Sequence, residues 1–480
     1  MSKDVGITVK KNEDFAEWYT QVVTKAGLAD YAGIRGFIVL MPYGYSIWER
    51  IRDFIDKRIK EVGHQNAYFP ALIPESFLRK EAEHFTGFVP EVFWVTHAGD
   101  EELSDRLAVR PTSETIAYDS YSKWIKSWRD LPLLLNFWNS VLRAEIKMTK
   151  PFIRTSEYLW QEGHTVHATK EEADKEVMLT LGIYRELIED MLAIPVLAGR
   201  KTDRDKFVGA LYTTTLEALM PDGRALQMGT SHNLGQNFSI PFGIKYIGKD
   251  EKEHYAWQTS WGLSWRTIGA LIMVHGDDKG LIVPPKIAPI QIVGIPIYYT
   301  EDEQRLVYKE IEEVSRSLRQ AGFDAHVDDR EQYTPGWKFN EWEMKGVPLR
   351  IEVGPKDIEK KEVTLVRRDT FDRARIPKER LIDEIGKILG EIQRNLFERA
   401  KRFLDERTKT TATYDEFKKM VESGVFVKAC WCGDTACETR IKEETGADIR
   451  LIPFEREELF SKCVRCGNEA REVAYFGRAY

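Results

Sequence analysis

Trp257-Gln-Thr-Ser-Trp-Gly-Leu-Ser-Trp-Arg-Thr-Ile-Gly269 is the stretch whose reading decides the fold. Residues 257–262 read as a strand that feeds a helix over 264–274. Upstream, 133–139 and 157–163 read as two strands around a polar loop near Met148–Phe152, an antiparallel hairpin. Residues 170–191 have the composition and period of a long helix. Short strand candidates lie between 199 and 235, among them 225–229. Antiparallel strands with segregated helices specify an α+β domain. Nearer the start, 36–42 reads as an apolar strand. Ile47, Ile51, Phe54, Ile55, Ile59 and Val62 then recur with a helix period, Gly63 is a helix stop, and 66–70 reads as a strand ending at Pro70.

The composition changes at Val283-Pro-Pro285. Beyond it, strands at 290–297, 325–328, 347–353 and 362–368 alternate with helices at 302–321, 339–345 and 376–398. This suggests a small α/β domain with a largely parallel sheet. The division expected is 1–284, 285–398 and 399–480. The formal net charge of −7 does not advertise nucleic-acid binding in bulk, though a local basic face could supply it. The most apolar stretch, 280–297, is broken by four prolines, so no membrane partner is expected. Residues 1–7 contain no apolar signal core. All five cysteines lie between Cys430 and Cys466, as in a cytosolic metal site rather than a secreted disulfide framework, and the expected location is cytoplasmic.

Several short runs carry chemistry. Thr112 and Glu114 stand two apart, so on an extended segment they face one way. Together they can hold an ammonium group through charge-assisted hydrogen bonds. The same run also starts a helix well, and both readings stand. Arg143 and Glu145 share a face: an arginine fork suits an α-phosphate, and a glutamate can accept from an adenine amine. Arg154, across the loop, could reach outer phosphates. Arg266 opens a helix after a strand, where cation and helix N-terminus together favour phosphate. Gln227 and the small residues after it could touch ATP or a Mg²⁺ ion. Trp160, Glu162 and His164 alternate on one strand and can build a ring-sized pocket. Cys432, Cys437, Cys463 and Cys466 have a spacing close to zinc-ribbon patterns, which points to a closed structural Zn²⁺ site, with Cys430 left over.

These residues resemble the class II aminoacyl-tRNA synthetases, specifically the prolyl-tRNA synthetase family of the archaeal and eukaryotic-like type, over essentially the whole chain. The helix through Val62 and the strand to Pro70 look like the family's first motif, which forms a homodimer interface. Arg143 to Arg154 looks like the second motif, Gly262 to Arg266 like the third, and Arg110-Pro-Thr-Ser-Glu114 like the loop that binds the proline nitrogen. The resemblance implies a class II catalytic domain with an antiparallel sheet, a small α/β anticodon-binding domain and a C-terminal zinc-binding α+β domain. It implies ATP-dependent activation of L-proline to prolyl-adenylate and transfer to the 3′ end of tRNA(Pro). It implies that Thr112, Glu114, Arg143, Trp160, Glu162, His164, Phe207, His232 and Ser264 line the proline pocket. It assigns ATP to Arg143, Glu145, Arg154, Gln227, Thr230 and Arg266, with Arg143, Arg266 and Mg²⁺ stabilising charge. It assigns the anticodon to Glu343, Arg350 and Lys356, and zinc to the four cysteines.

Two departures matter. Only about sixty residues separate Gly163 from Gln227, so the large editing insertion of many bacterial relatives is missing, and the archaeal-like type lacks it too. The chain ends in Tyr480, a feature of this type whose carboxylate can approach the active site. Pocket size predicts weak rejection of cysteine and alanine, since a methylene is worth only ~1–3 kcal/mol. Another class II synthetase, threonyl or seryl, or a non-catalytic tRNA-binding paralogue, are the other readings. Intact Arg143 and Arg266 argue against the paralogue.

Overall fold

A computed structural model describes residues 6–84, 91–144 and 149–480, the backbone alone for 80–84. The protein is α+β throughout, and one long sheet organises it. Its first part comes from β1 (Gln65–Asn66), β2 (Leu133–Leu142), β3 (Glu157–His167), β4 (Leu197–Arg200), β5 (Tyr212–Leu219), β6 (Ala225–Gly235) and β7 (Trp257–Ser264). Helix α1 (Pro42–Glu61) has proline at its start, and Gly63 with φ 95° follows its end. Helix α2 is Glu114–Trp124, α3 Lys170–Glu186 and α4 Arg266–His275. Thr169 and Glu172 form a capping box that starts α3, which packs on β6 and β7. An apolar core including Ile51, Ile55, Leu187, Met228, Trp261 and Leu271 fills the space between the sheet and α1, α3 and α4.

Two N-terminal strands are shorter than their patterns suggest. Only Ile38–Leu40 is extended, because Pro42 already starts α1. Of 66–70, Asn66 alone joins the sheet; beyond it, Arg110 takes the Phe69 carbonyl at 2.9 Å in place of a strand neighbour. Residues 187–191 form a wider π-type turn rather than a continuation of α3.

The second unit holds β8 (Ile292–Pro296), β9 (Ala325–Val327), β10 (Leu349–Val353), β11 (Glu362–Arg367) and β12 (Arg373–Pro377), in the order β9-β8-β10-β11-β12. Its helices are α5 (Glu301–Gln320), α6 (Pro335–Lys345), α7 (Pro355–Lys360) and α8 (Leu381–Glu406). The largely parallel sheet expected is in fact mixed. β8 has parallel neighbours on both sides, but β10–β11 and β11–β12 are antiparallel. The six-residue α7 is too short for a parallel crossover. The last helix starts at Leu381 rather than 376, since Ile376 pairs with Val363 in β12 and Pro377 ends that strand. α8 also runs through position 398 into the third unit.

That third unit is not detached. Its strands β13 (Thr408–Thr410), β14 (Phe426–Trp431), β15 (Asp448–Pro453) and β16 (Glu472–Gly477) extend the first sheet. The full order is β13-β14-β16-β15-β4-β5-β6-β7-β3-β2-β1. The junction pairs Ile452 with Arg200 and Pro453 with Gly199. A Cβ at Gly199 would lie 2.3 Å from the Ile452 carbonyl oxygen, so only glycine allows this approach. Gly199→Ala is therefore expected to cost about 1–3 kcal/mol. Hydrogen exchange should locate the loss at β4 and β15, and unchanged protection there would contradict the junction.

Candidate active site

The register of five strands brings the pocket residues together. Directly opposite residues share a face. One row across the sheet is Asn139, Trp160 and Ser264. The next is Phe137, Glu162, Gly262, Thr230 and Thr215. The third is Leu135, His164, Ser260, His232 and Thr213. Gly262 has no side chain to fill the space between Glu162 and Thr230. Above these rows opens a cleft of about 660 Å³. Thr112, Glu114, Arg143, Trp160, Glu162, His164, Phe207, His232 and Ser264 all line it, as do Arg154, Gln227, Thr230 and Arg266. Glu145 lies outside the described residues.

Glu162 is the hub of the floor. Its carboxylate accepts from Ser113 N at 3.1 Å, Ser113 Oγ and Asn139 Nδ2 at 3.0 Å, and Thr112 Oγ1 lies 3.1 Å away. It also meets His164 Nε2 at 2.9 Å. Burial opposes its charge, but the His164 bond and charge, with Ser113 and Asn139, outweigh it and hold its pKa below the usual value. Burial likewise opposes a charged His164, and Glu114 and Glu162 outweigh it, raising that imidazole. Asn139 Oδ1 in turn accepts from the Trp160 indole at 2.7 Å.

Glu114 is different. It opens α2, so the helix-start and ammonium-binding readings of Thr112–Glu114 coincide. It is 4% exposed, accepts from Thr112 Oγ1, and has no cation within ion-pair distance among the described residues. At the other side of the cleft stands the converse. Arg266, the first residue of α4, makes no ion pair among the described residues, and burial, with Arg143 adding, lowers its pKa. Arg143 lies over Tyr158 and Trp160 at 5.6 and 5.9 Å and donates to the Pro111 carbonyl at 3.4 Å. Two like charges facing one cleft await an anion.

His232 lies against Phe207 with ring centres 4.8 Å apart and planes tilted by 33°, and its Nδ1 meets Thr213 Oγ1 at 2.9 Å. Burial, then the His164 charge, pushes it down to about 3, so it is neutral. The residues that sequence reasoning missed are supports and walls: Ser113, Asn139, Thr213, Tyr158 and Asp205. Their signal exists only in the register. Tyr480 does reach the cleft wall, its hydroxyl 2.6 Å from Asp222 and its backbone N–H on the Ala225 carbonyl.

The chain is 57% identical to a proline–tRNA ligase of Cenarchaeum symbiosum, covering 99% of this chain and 100% of the relative. The chain belongs to the prolyl-tRNA synthetase family. A proline–tRNA ligase of Natranaerobius thermophilus is 52% identical over 98% of this chain and 97% of its own length. A proline–tRNA ligase 2 of Bacillus cereus is 50% identical over 100% of both. Family models match three stretches. The tRNA synthetase class II core domain (G, H, P, S and T) covers 93–275, the anticodon binding domain 291–388, and the prolyl-tRNA synthetase C-terminal domain 414–480. The chain is thus a class II synthetase core followed by those two domains.

In the anticodon-binding domain of this synthetase, the three base-reading candidates are not brought to one place. Glu343 on α6 and Arg350 on β10 meet at 2.8 Å, and Arg350 also donates to Glu352 at 3.0 Å and lies over Phe339. Lys356 sits exposed on α7, past the other end of β10. In the C-terminal domain, the sulfurs of Cys432, Cys437, Cys463 and Cys466 all lie within 4.8 Å of one another. Two pairs, Cys437–Cys463 and Cys432–Cys466, are 3.7 Å apart. A tetrahedral zinc with sulfur at about 2.3 Å has sulfur–sulfur edges of about 3.8 Å, so the four fit that ion. Cys430 stays out of the group, buried on β14.

The neutral His232 has a consequence for acid stability. An unfolded histidine takes up its proton near pH 6.5, whereas the folded one waits until about 3. The unfolded state therefore binds more protons between these values, and stability falls as pH drops through that window. His232→Gln should remove about one proton from that slope, read as the pH dependence of urea midpoints between pH 4 and 7. An unchanged slope would mean that His232 is charged in the fold.

Proposed function

We propose that this cleft joins L-proline to ATP and passes the prolyl group to tRNA(Pro), the reading that the family and the relatives' activity support. One observation carries it: Glu114, a buried carboxylate, and Arg266, a guanidinium, face the same cleft, and neither makes an ion pair among the described residues. A substrate pair that brings an ammonium and a polyphosphate satisfies both. The secondary ammonium of proline donates to Glu114, Thr112 and the floor around Glu162, while Trp160, Phe207 and His232 enclose the ring. Neutral His232 adds no charge against that ammonium. The proline carboxylate attacks the α-phosphorus of ATP, the bond to the β-phosphate oxygen breaks, and pyrophosphate leaves. The tRNA ribose hydroxyl then attacks the prolyl carbonyl, AMP leaves with the electron pair of the broken carbon–oxygen bond, and the hydroxyl proton passes to the departing phosphate. Arg143 and Arg266 stabilise the charge that builds on the phosphorus oxygens. Gln227, Thr230, Arg154 and Glu145 complete our ATP assignment. Gln227 and Thr230, which line the cleft, would be the residues to hold a Mg²⁺ ion, which would supply further neutralisation of the phosphates.

The finer assignments are ours as well. They are the archaeal and eukaryotic-like type, the domain limits 1–284, 285–398 and 399–480, a structural zinc on the four cysteines, Glu343, Arg350 and Lys356 as anticodon contacts, a cytoplasmic location and a homodimer. Large apolar side chains exposed on and before α1, including Ile34, Val39 and Tyr45, support the dimer. Among the described residues no helix is long and apolar enough to cross a membrane.

Proline-dependent ATP–pyrophosphate exchange without tRNA tests the reading. Exchange strongest with another amino acid would overturn the pocket assignment. Glu114→Gln should lower kcat/KM for proline about a hundredfold, roughly 3 kcal/mol, with the ATP KM little changed. Weak but measurable exchange with cysteine and alanine at high concentration is expected, and its complete absence would refute weak size discrimination. Cys463→Ser should release one zinc per chain and loosen the C-terminal domain first; a variant that keeps full zinc would exclude Cys463 as a ligand.

A further inference from the structure

The C-terminal domain reaches the amino-acid side of the cleft through a short turn. Between β4 and β5 the chain runs through Lys201, Thr202, Asp205 and Phe207, and the last two line the cleft. Thr202 is the pivot: its carbonyl accepts from Asp205 N at 3.1 Å and Lys206 N at 2.9 Å. The same residue is tied from outside the catalytic domain. Its hydroxyl donates to Glu438 Oε1 at 2.9 Å, and both side chains are buried. Glu438 stands on helix α9 (Thr435–Thr445), next to Cys437 of the four-cysteine group.

The turn's other end is anchored as well. Lys201 Nζ lies 2.9 Å from Glu217 and 3.2 Å from Asp205. Glu217, on β5 opposite Gln227, accepts a two-pronged contact from Arg450 of β15 at 3.0 and 2.8 Å. Burial opposes the Glu217 charge, and Arg450 and Lys201 outweigh it, keeping the carboxyl ionised. The ion pairs of Lys201 therefore fix where the turn begins, and Glu438 fixes the residue that folds it. Downstream, Phe207 N donates to Thr213 Oγ1 at 2.9 Å, the hydroxyl that also meets His232.

We propose that Glu438 of the C-terminal domain is a positioning residue for the proline subsite, holding through Thr202 the turn that sets Asp205 and Phe207 in the pocket wall. This rests on the proline-activation reading above. Loss of the contact lets the wall move without touching Arg143 or Arg266, so amino-acid binding suffers and ATP binding does not. The C-terminal domain is then part of the amino-acid site, not only a fold appended to it.

Proline-dependent pyrophosphate exchange of the full chain serves as the assay, with zinc content and thermal midpoint measured on every variant. Wild-type exchange with proline tests the activity reading itself, independently of the variants. Glu438→Ala is expected to raise the proline KM about tenfold, the size of one buried hydrogen bond, with the ATP KM within about twofold. Glu438→Gln keeps an oxygen for the Thr202 hydroxyl and should restore most of the loss. Thr202→Val, distant from the cysteines, should raise the proline KM similarly, and combining it with Glu438→Ala should add little. An unchanged proline KM in Thr202→Val overturns the proposal. So do equal rises in both KM values, or additive effects of the two substitutions.

Discussion

The active site depends on one buried carboxylate. Glu162 carries charge at the bottom of the cleft, where an unpaired ion would cost several kcal/mol. It persists because donors converge on it from three elements: Ser113 at the start of α2, Asn139 on β2 and His164 on its own strand. Each donor is thereby fixed in place. Asn139 orients Trp160, and Ser113 stands next to Glu114 at the first turn of α2. A change in strand register by one residue would reverse the faces of Trp160, Glu162 and His164 together, leaving this charge without its partners. The polar floor therefore specifies the sheet as much as the sheet builds the floor.

Around that satisfied charge the cleft keeps others unsatisfied. Glu114 and Arg266 line it without an ion pair among the described residues, a cost that folding bears. His232 completes the division of labour: burial holds its imidazole neutral, whereas at His164 the carboxylates of Glu114 and Glu162 outweigh burial and raise the pKa.

The long sheet also explains how the C-terminal domain reaches the cleft. Gly199 lets β15 approach β4 closely, and that contact places Arg450 over Glu217. The terminal strand β16 leads the chain back so that Tyr480 ends in the cleft wall. The second domain attaches through different chemistry: Arg368 clasps Asp277 at 2.6 and 2.8 Å, and Gln393 donates to the Asp190 and Met191 carbonyls.

Much of this was legible in the chain alone. The alternation of Trp160, Glu162 and His164 put them on one face because strand geometry has a period of two, whatever the fold. Arg266 at a strand-to-helix junction and the cysteine spacing depend likewise on neighbours in sequence. What the chain alone left open is every relation set by pairing between distant segments. Ser113 and Asn139 look like ordinary polar residues until the start of α2 and the strand register, respectively, face them toward Glu162. The strand readings of 36–42 and 66–70 came out too long because Pro42 and Arg110 compete with extended pairing there. The C-terminal domain read as a separate unit because nothing local marks Ile452 as a partner of Arg200. Local periodicity and side-chain chemistry determined which residues could serve. Only long-range hydrogen-bond register, which no short window of sequence contains, decided which of them meet.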